Sequence, residues 1–282
     1  MKHLLSAEFL RLFKNKLFWF LSAAAFIFGA LIQVYVYFGA KVSNIDPKID
    51  MGLFSVGMVI GFVAAIFVSL FVGTEYSDGT LRNKIINGKS RASIYFSKYI
   101  VCCVAMAAFF AFYYAASLIF GFVLCKEFMS KASVLIIIAL ALCLASFSYV
   151  AVFLAVAMNC GKKSASAVVA LVAAMAMFFT AVMATSKLSE PEFYPEAMYM
   201  DTETGQIVKE YEEPNPNYPR GTKRKVYEFI NNANPTGQCI QLSGAIDENG
   251  SVCKKEFPIY SCSLIVIATA IGMIIFKKKD VV

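Results

Sequence analysis

Histidine is all but missing from this chain: His3 is the single one among 282 residues. Imidazole is the commonest metal ligand and the usual general base near neutral pH, so most metal and acid–base chemistry loses its main carrier. Charge is scarce as well. Asp, Glu, Lys and Arg make up 16% of the chain, against roughly a quarter in soluble domains, while 59% is hydrophobic. No GxxxxGK[ST] loop occurs, so nucleotide phosphates cannot be cradled by that route; Gly79-Thr80-Leu81-Arg82-Asn83-Lys84 only echoes it. No GxSxG elbow is present, and Ser or Cys would have no histidine beside it. The eight cysteines show no metal-ligand spacing. Neither metal nor cofactor is expected on this chain. A membrane-embedded enzyme is disfavoured, its one candidate acid being Glu75.

Six apolar runs are present, each near the ~20 residues a membrane span needs: Leu17–Phe38, Gly52–Gly73, Tyr95–Leu124, Ala132–Met158, Ser166–Thr185 and Ile259–Phe276. None has an ionisable residue near its centre, where ion-coupled transporters usually keep one. Aromatics crowd the third run, including Phe109, Phe110, Phe112, Tyr113, Tyr114 and Phe120. The basic residues sit beside the runs, as membrane topology requires, rather than on one nucleic-acid-binding face. With the N-terminus inside, the inner segments, counted with Lys98 at the inner end of the third run, hold fourteen Lys or Arg against four acids, Glu8, Glu75, Asp78 and Asp280. Both termini are therefore expected on the cytoplasmic side of a plasma membrane. No cleavable signal peptide is expected, because the apolar run after the charged start is too long for one.

The fold class expected is an all-α polytopic membrane protein of six transmembrane helices, with an interfacial helix before them and a small mixed α/β extracellular domain between spans 5 and 6. Residues 1–16 form the amphipathic interfacial helix, with Leu5, Phe9, Leu12 and Phe13 on one face and Lys2, Arg11, Lys14 and Lys16 reaching lipid headgroups. Residues 17–186 hold spans 1–5 with a cytoplasmic loop at 74–94. Residues 187–258 are the extracellular cap, and 259–282 are span 6 with its basic tail. Six of the eight prolines fall within residues 191–235 of the cap. A hairpin of Met198–Asp201 with Gln206–Tyr211 is expected there, then a weak helix at Val226–Asn232. Asn234-Pro235 should cap a further helix. Cys239 and Cys253, in the only sizeable polar region outside, are expected to form a disulfide. In the second span Gly57, Gly61, Ala65, Ser69 and Gly73 recur every fourth residue, a ladder suited to close helix packing, within the chain or at a subunit interface.

The loop at 74–94 carries the most specific pattern. Leu81, Ile85 and Ile86 mark one apolar face of a short helix at 80–87, which Ser77 or Asp78 can cap and Gly88 can end at positive φ. Arg82, Lys84, Lys89 and Arg91 make the loop basic, so a plain positive-inside anchor is the alternative. Gly73-Thr74-Glu75-Tyr76, then Asp78-Gly79-Thr80-Leu81-Arg82-Asn83, Asn87-Gly88-Lys89-Ser90-Arg91 and Ser97-Lys98 resemble the cytoplasmic loop of the ABC-2 family of transporter permeases. Glu8 to Trp19 resembles that family's entry helix more loosely.

The resemblance implies a bacterial permease subunit whose coupling helix docks on a separate ABC ATPase. Two ATPase copies, a second permease subunit (identical or related), and ATP with Mg on the ATPase come with it. The implied activity is export of a hydrophobic or amphiphilic substrate, such as an antimicrobial peptide or a lipophilic antibiotic. Glu75, Arg82, Asn83, Ile85, Ile86, Gly88 and Arg91 are the coupling residues to expect. Glu75→Ala, Arg82→Ala and Ile86→Asp are expected to weaken ATPase binding while leaving the protein stable. The alternative function is a membrane sensor with an extracellular ligand-binding cap.

Overall fold

A computed structural model describes residues 2–194, 197–200, 207–210, 213–244 and 256–279. In chain order the elements are α1 (Lys2–Lys14), α2 (Lys16–Val42), α3 (Asp50–Leu53), a 3-10 turn (Ser55–Met58), α4 (Ile60–Ser77), α5 (Thr80–Ile86) and α6 (Arg91–Leu124). Next come α7 (Ala132–Cys160), α8 (Lys163–Leu188), β1 (Ala197–Met200), β2 (Ile207–Glu210), α9 (Thr222–Ala233), α10 (Pro235–Gly244) and α11 (Phe257–Lys278). Among the described residues six helices, α2, α4, α6, α7, α8 and α11, are long and apolar enough to cross a membrane. They coincide with the six apolar runs, each reaching further into its polar flanks, except the second.

Caps explain several boundaries. Asn15 Oδ1 accepts from the Leu17 and Phe18 amides at 2.8 and 3.3 Å and so starts α2. Ser90 accepts from the Ser93 amide at 3.2 Å and starts α6. Asn234 Oδ1 accepts from the Thr236 amide at 3.0 Å, and α10 begins at Pro235 as the Asn-Pro step requires. Gly161 closes α7 at φ +75.

The bundle is built in two shells. Buried residues make up 61% of the apolar window of α4 and half of those of α6 and α7, but only 22% for α2, α8 and α11. The inner three helices therefore form the core, and the outer three keep broad apolar faces for lipid. α2 lies along α6, α11 along α7, and α8 along α4.

The second span is not one helix. Gly52–Gly73 reads as a continuous apolar run, but the chain breaks at Phe54–Val59 between α3, the 3-10 turn and α4. Glycine at 52, 57 and 61 weakens helix here. The freed carbonyls find side-chain donors: Tyr113 Oη donates to the Gly52 carbonyl at 2.9 Å and Ser243 Oγ to the Phe54 carbonyl at 2.7 Å. Irregular backbone at membrane depth is tolerated where protein groups satisfy it in this way. A Cβ on Gly57 would come within 2.5 Å of Ser243 Oγ, so the missing side chain is what lets α10 approach.

That approach changes the expected outline of residues 187–258. β1 and β2 pair antiparallel, with Tyr199 opposite Val208, and the tip expected at Thr202-Glu203-Thr204-Gly205 lies outside the described residues. Helix α9 is longer than the Val226–Asn232 expected. α10 does not sit apart in a cap: Thr236, Gln238, Cys239 and Leu242 are buried against the 3-10 turn, α7 and α8. Polar side chains fix it there. Tyr149 and Thr236 share a hydrogen bond at 2.5 Å, Ser261 donates to Gln238 Oε1 at 2.7 Å, and Asn234 Nδ2 donates to the Met177 carbonyl at 2.8 Å.

α1 is also placed differently from expectation. Of the expected face of Leu5, Phe9, Leu12 and Phe13, only Leu12 is fully buried, in a stripe with Leu4 and Glu8, while Leu5 and Phe9 pack half-buried at its edge. Phe13 is exposed, and the helix packs on α6. An acid at the middle of the inward stripe needs partners, and these form the site below.

Candidate functional site

Five charged side chains from four helices meet at the end of the bundle that carries α5. Glu8 and Arg11 come from α1, Glu75 from the last turn of α4, Lys84 from α5 and Lys98 from inside α6. Lys98 Nζ stands 2.5 Å from Glu75 Oε2 and 3.1 Å from Glu8 Oε1. Lys84 Nζ reaches Glu8 Oε1 at 2.5 Å and Glu75 Oε1 at 2.7 Å. Arg11 donates to Glu75 and to the Phe71 carbonyl, and its guanidinium lies 4.3 Å from the centre of the Phe71 ring. Glu8, Glu75 and Lys98 are sealed from solvent, while Arg11 and Lys84 form a rim about one quarter exposed.

Each carboxylate has three cations around it. Ions this deep are costly to desolvate, and mutual pairing is what offsets that cost. The arrangement joins α1, α4, α5 and α6 into one ionic knot. Arg11 therefore does not serve as the headgroup contact expected of it: its guanidinium is turned inward to Glu75. None of the five was legible as a knot, since its ion pairs span up to 90 residues in sequence and each member reads alone as a boundary charge. One signal was present: Glu8 and Glu75 are two of the four acids on an otherwise basic side.

The knot orients α5. Gly79, at φ +66, turns the chain sharply out of α4, and no side chain caps the new helix; Ser77 and Asp78 instead finish α4. Leu81 is buried, Lys84 points into the knot and Ile85 packs against the core. Arg82 and Asn83 are left exposed, and Ile86 is 69% exposed. Gly88 follows at φ +74, a conformation that side chains disfavour.

The remaining expected coupling residues are divided. Glu75 is internal to the knot. Arg91 is also committed inside the chain: it donates to the Phe276 carbonyl at 2.7 Å, to Lys277 at 3.0 Å and to Lys279 at 2.5 Å. The first two are last-turn carbonyls of α11 and the third belongs to the residue that ends it; such carbonyls lack intrahelical donors. Nearby, Lys279 Nζ donates to the Asn159 carbonyl at 2.8 Å and lies over the Tyr76 ring, and burial lowers its pKa from the usual lysine value.

The ladder residues face inside the chain. A Cβ on Gly61 would meet the Tyr149 ring at 2.8 Å, and one on Gly73 the Lys163 backbone at 2.9 Å. Gly57 faces α10, Ala65 is buried, and Ser69 donates back to the Ala65 carbonyl at 2.5 Å. Cys239 is a buried free thiol whose pKa burial pushes up to about 12. Its expected partner Cys253 lies outside the described residues. Among the described residues no group of three or more His, Cys, Asp or Glu could hold a metal ion.

Among the described residues, six apolar helices, a broken second span and an ionic knot that leaves one face of a short helix in solvent define a multi-pass membrane protein. The chain belongs to the ABC-2 family: residues 4–168 match the family described as ABC-2 family transporter protein, a stretch that runs from α1 into α8 and contains the whole knot. No curated protein matches the chain.

Proposed function

We propose that this chain is the permease subunit of an ATP-driven exporter, with ATP bound and hydrolysed by a separate ATPase. The observation that carries the reading is the outward face of α5. A helix held on one side by Leu81 and Lys84 while Arg82, Asn83 and Ile86 stand in solvent has the form of a docking element. Two ATPases and a second permease, identical or related, complete the assembly. Movement of α5 then reaches α4 and α6 together, since Lys84 pairs with Glu75, and both acids of the knot pair with Lys98. Family membership supports this reading.

The substrate in this reading is hydrophobic or amphiphilic, an antimicrobial peptide or a lipophilic antibiotic being examples. The described charges gather at the ends of the spans, leaving their centres without a fixed ionic partner for a charged solute. The α5 end faces the cytoplasm, following the basic residues around it. The β1–β2 hairpin and α9 then stand outside.

Capture of the cognate ATPase by the purified permease tests the docking role. Arg82→Ala and Ile86→Asp should each weaken capture about tenfold or more, as truncation of a central contact residue does, with unchanged thermal unfolding in detergent. Undiminished capture by both variants would leave α5 without a docking role.

A further inference from the structure

Helix α9 is amphipathic, and it is turned inside out. Val226, Phe229, Ile230 and Ala233 recur at i, i+3, i+4 and i+7 and make one apolar side. Arg224, Glu228 and Asn231 follow the same spacing on the opposite side. A helix bordered by water buries its apolar side. Here Val226 and Phe229 are 50% and 59% exposed, while Asn231 and Asn232 are 3% and 6% exposed.

Hydrogen bonds hold the polar side inward. Thr185 Oγ1 of α8 donates to Asn231 Oδ1 at 3.2 Å. From α10, Gln238 Nε2 donates to the Asn232 carbonyl at 2.7 Å and Gln241 Nε2 to Asn232 Oδ1 at 3.2 Å. A Cβ on Gly237 would collide with the Asn231 carbonyl oxygen, so α9 and α10 also cross in close contact. Rolling α9 to hide Val226 and Phe229 would break these bonds. Its apolar side is therefore fixed outward and needs an occupant other than water.

Two features select lipid. The first is continuity. Phe229 meets Tyr260 edge-on at 6.0 Å, and the neighbouring Ile259 is exposed. Both belong to the first turn of α11, whose exposed Val266, Ile267 and Ile271 carry the same surface along the span. The second is charge. Lys223 and Lys225, both exposed, stand on the two flanks of the apolar side, the placement that lets ammonium groups reach headgroup phosphates while their stems cover carbon.

We propose that α9 is seated in the leaflet at the end of the bundle opposite α5, with Val226 and Phe229 among the upper acyl chains and Lys223 and Lys225 at the headgroups. The inference uses the six-span architecture and not the export reading, so its failure would leave docking at α5 intact.

The reporter is Phe229→Trp in the full chain carrying Trp19→Phe, which removes the native indole. The protein is held in lipid nanodiscs, and two quenchers are compared: bromine on phosphatidylcholine acyl chains and acrylamide in the water. An interfacial helix sits about 5–10 Å into the headgroup–acyl boundary, so bromines high on the chain should roughly halve the emission. Bromines near the chain end should quench less, and acrylamide little. Val226→Trp, one turn earlier on the same side, should behave alike. At equal mole fraction, brominated phosphatidylglycerol should quench more than brominated phosphatidylcholine, and Lys223→Gln with Lys225→Gln should remove that difference. Thermal unfolding of each variant confirms that the fold is kept. Quenching by acrylamide alone would put the side in water, and shielding from both quenchers would put protein over it, a second copy included. Stronger quenching by the deep bromines would put it in the hydrocarbon core. Each of these results, or an anionic preference that is missing or survives loss of both lysines, would overturn the proposal.

Discussion

Glu75 shows how far one residue's meaning shifts between sequence and structure. At the mouth of a basic loop it reads as a group available to a partner. Folded, it is 2% exposed and paired with Arg11, Lys84 and Lys98. Removing one member of a buried ion set leaves the others uncompensated, at a typical cost of about 3–5 kcal/mol. Glu75→Ala should therefore lower thermal stability in detergent sharply, the reverse of the expectation that it would leave the protein stable. Ile86→Asp, exposed on α5, should not. Scanning calorimetry of the two variants separates the cases; a stable Glu75→Ala protein would mean that the knot contributes little to the fold.

At the scale of elements, local chemistry was legible and distant chemistry was not. Asn234-Pro235 starts α10, Gly88 takes positive φ after α5, and the six apolar runs lie on six long helices, because each signal needs only a few neighbouring residues. The break at Phe54–Val59 was hidden, because its donors Tyr113 and Ser243 lie 61 and 189 residues away from the carbonyls they serve. The buried stripe of α1 was hidden for the same reason: Glu8 faces inward only because Lys84 and Lys98 meet it there. At the opposite end, an ion pair of Lys48 with Glu127 at 2.6 Å joins two loops. The hydrogen bond from Lys48 holds the Glu127 carboxyl below its usual range, and the same bond raises the Lys48 ammonium.

The pH window of this loop pin follows from those two directions. The lowered carboxyl contributes above its unfolded pKa and is lost as pH falls through the folded one. The raised ammonium contributes below its own unfolded pKa and is lost as pH rises through the folded one. A spin label at Lys131→Cys should thus gain mobility on acidification below about pH 4, the ordinary carboxylate range. In Glu127→Gln it should be mobile throughout. Both partners are at the surface, so high salt should mimic acid. A label indifferent to pH and salt would show that the pair does not hold the loops.

For the whole molecule, orientation is the property on which the proposed function turns. Cysteine probes at Lys89 and Lys223, both exposed and at opposite ends of the bundle, decide it in a background without other accessible thiols. An impermeant thiol reagent applied to intact cells should modify the Lys223 probe and spare the Lys89 probe, which should react after permeabilisation. The reverse pattern would place α5 outside, where no ATPase could reach it.

The ionic knot also sets an order of events during synthesis. Glu8 leaves the ribosome before its partners: Lys84 follows 76 residues later, and Lys98, which shares the same carboxylate oxygen, 90 residues later. At chain growth of about 5–20 residues per second, Glu8 waits roughly 5–20 seconds for that partner. Until Lys84 emerges, its carboxylate has only Arg11, one turn along the same helix, for company. A helix carrying an unmatched acid on its inward stripe stays in water until α6 has been made, so α1, though made before α4, α5 and α6, is among the last pieces of this end of the molecule to be locked in place.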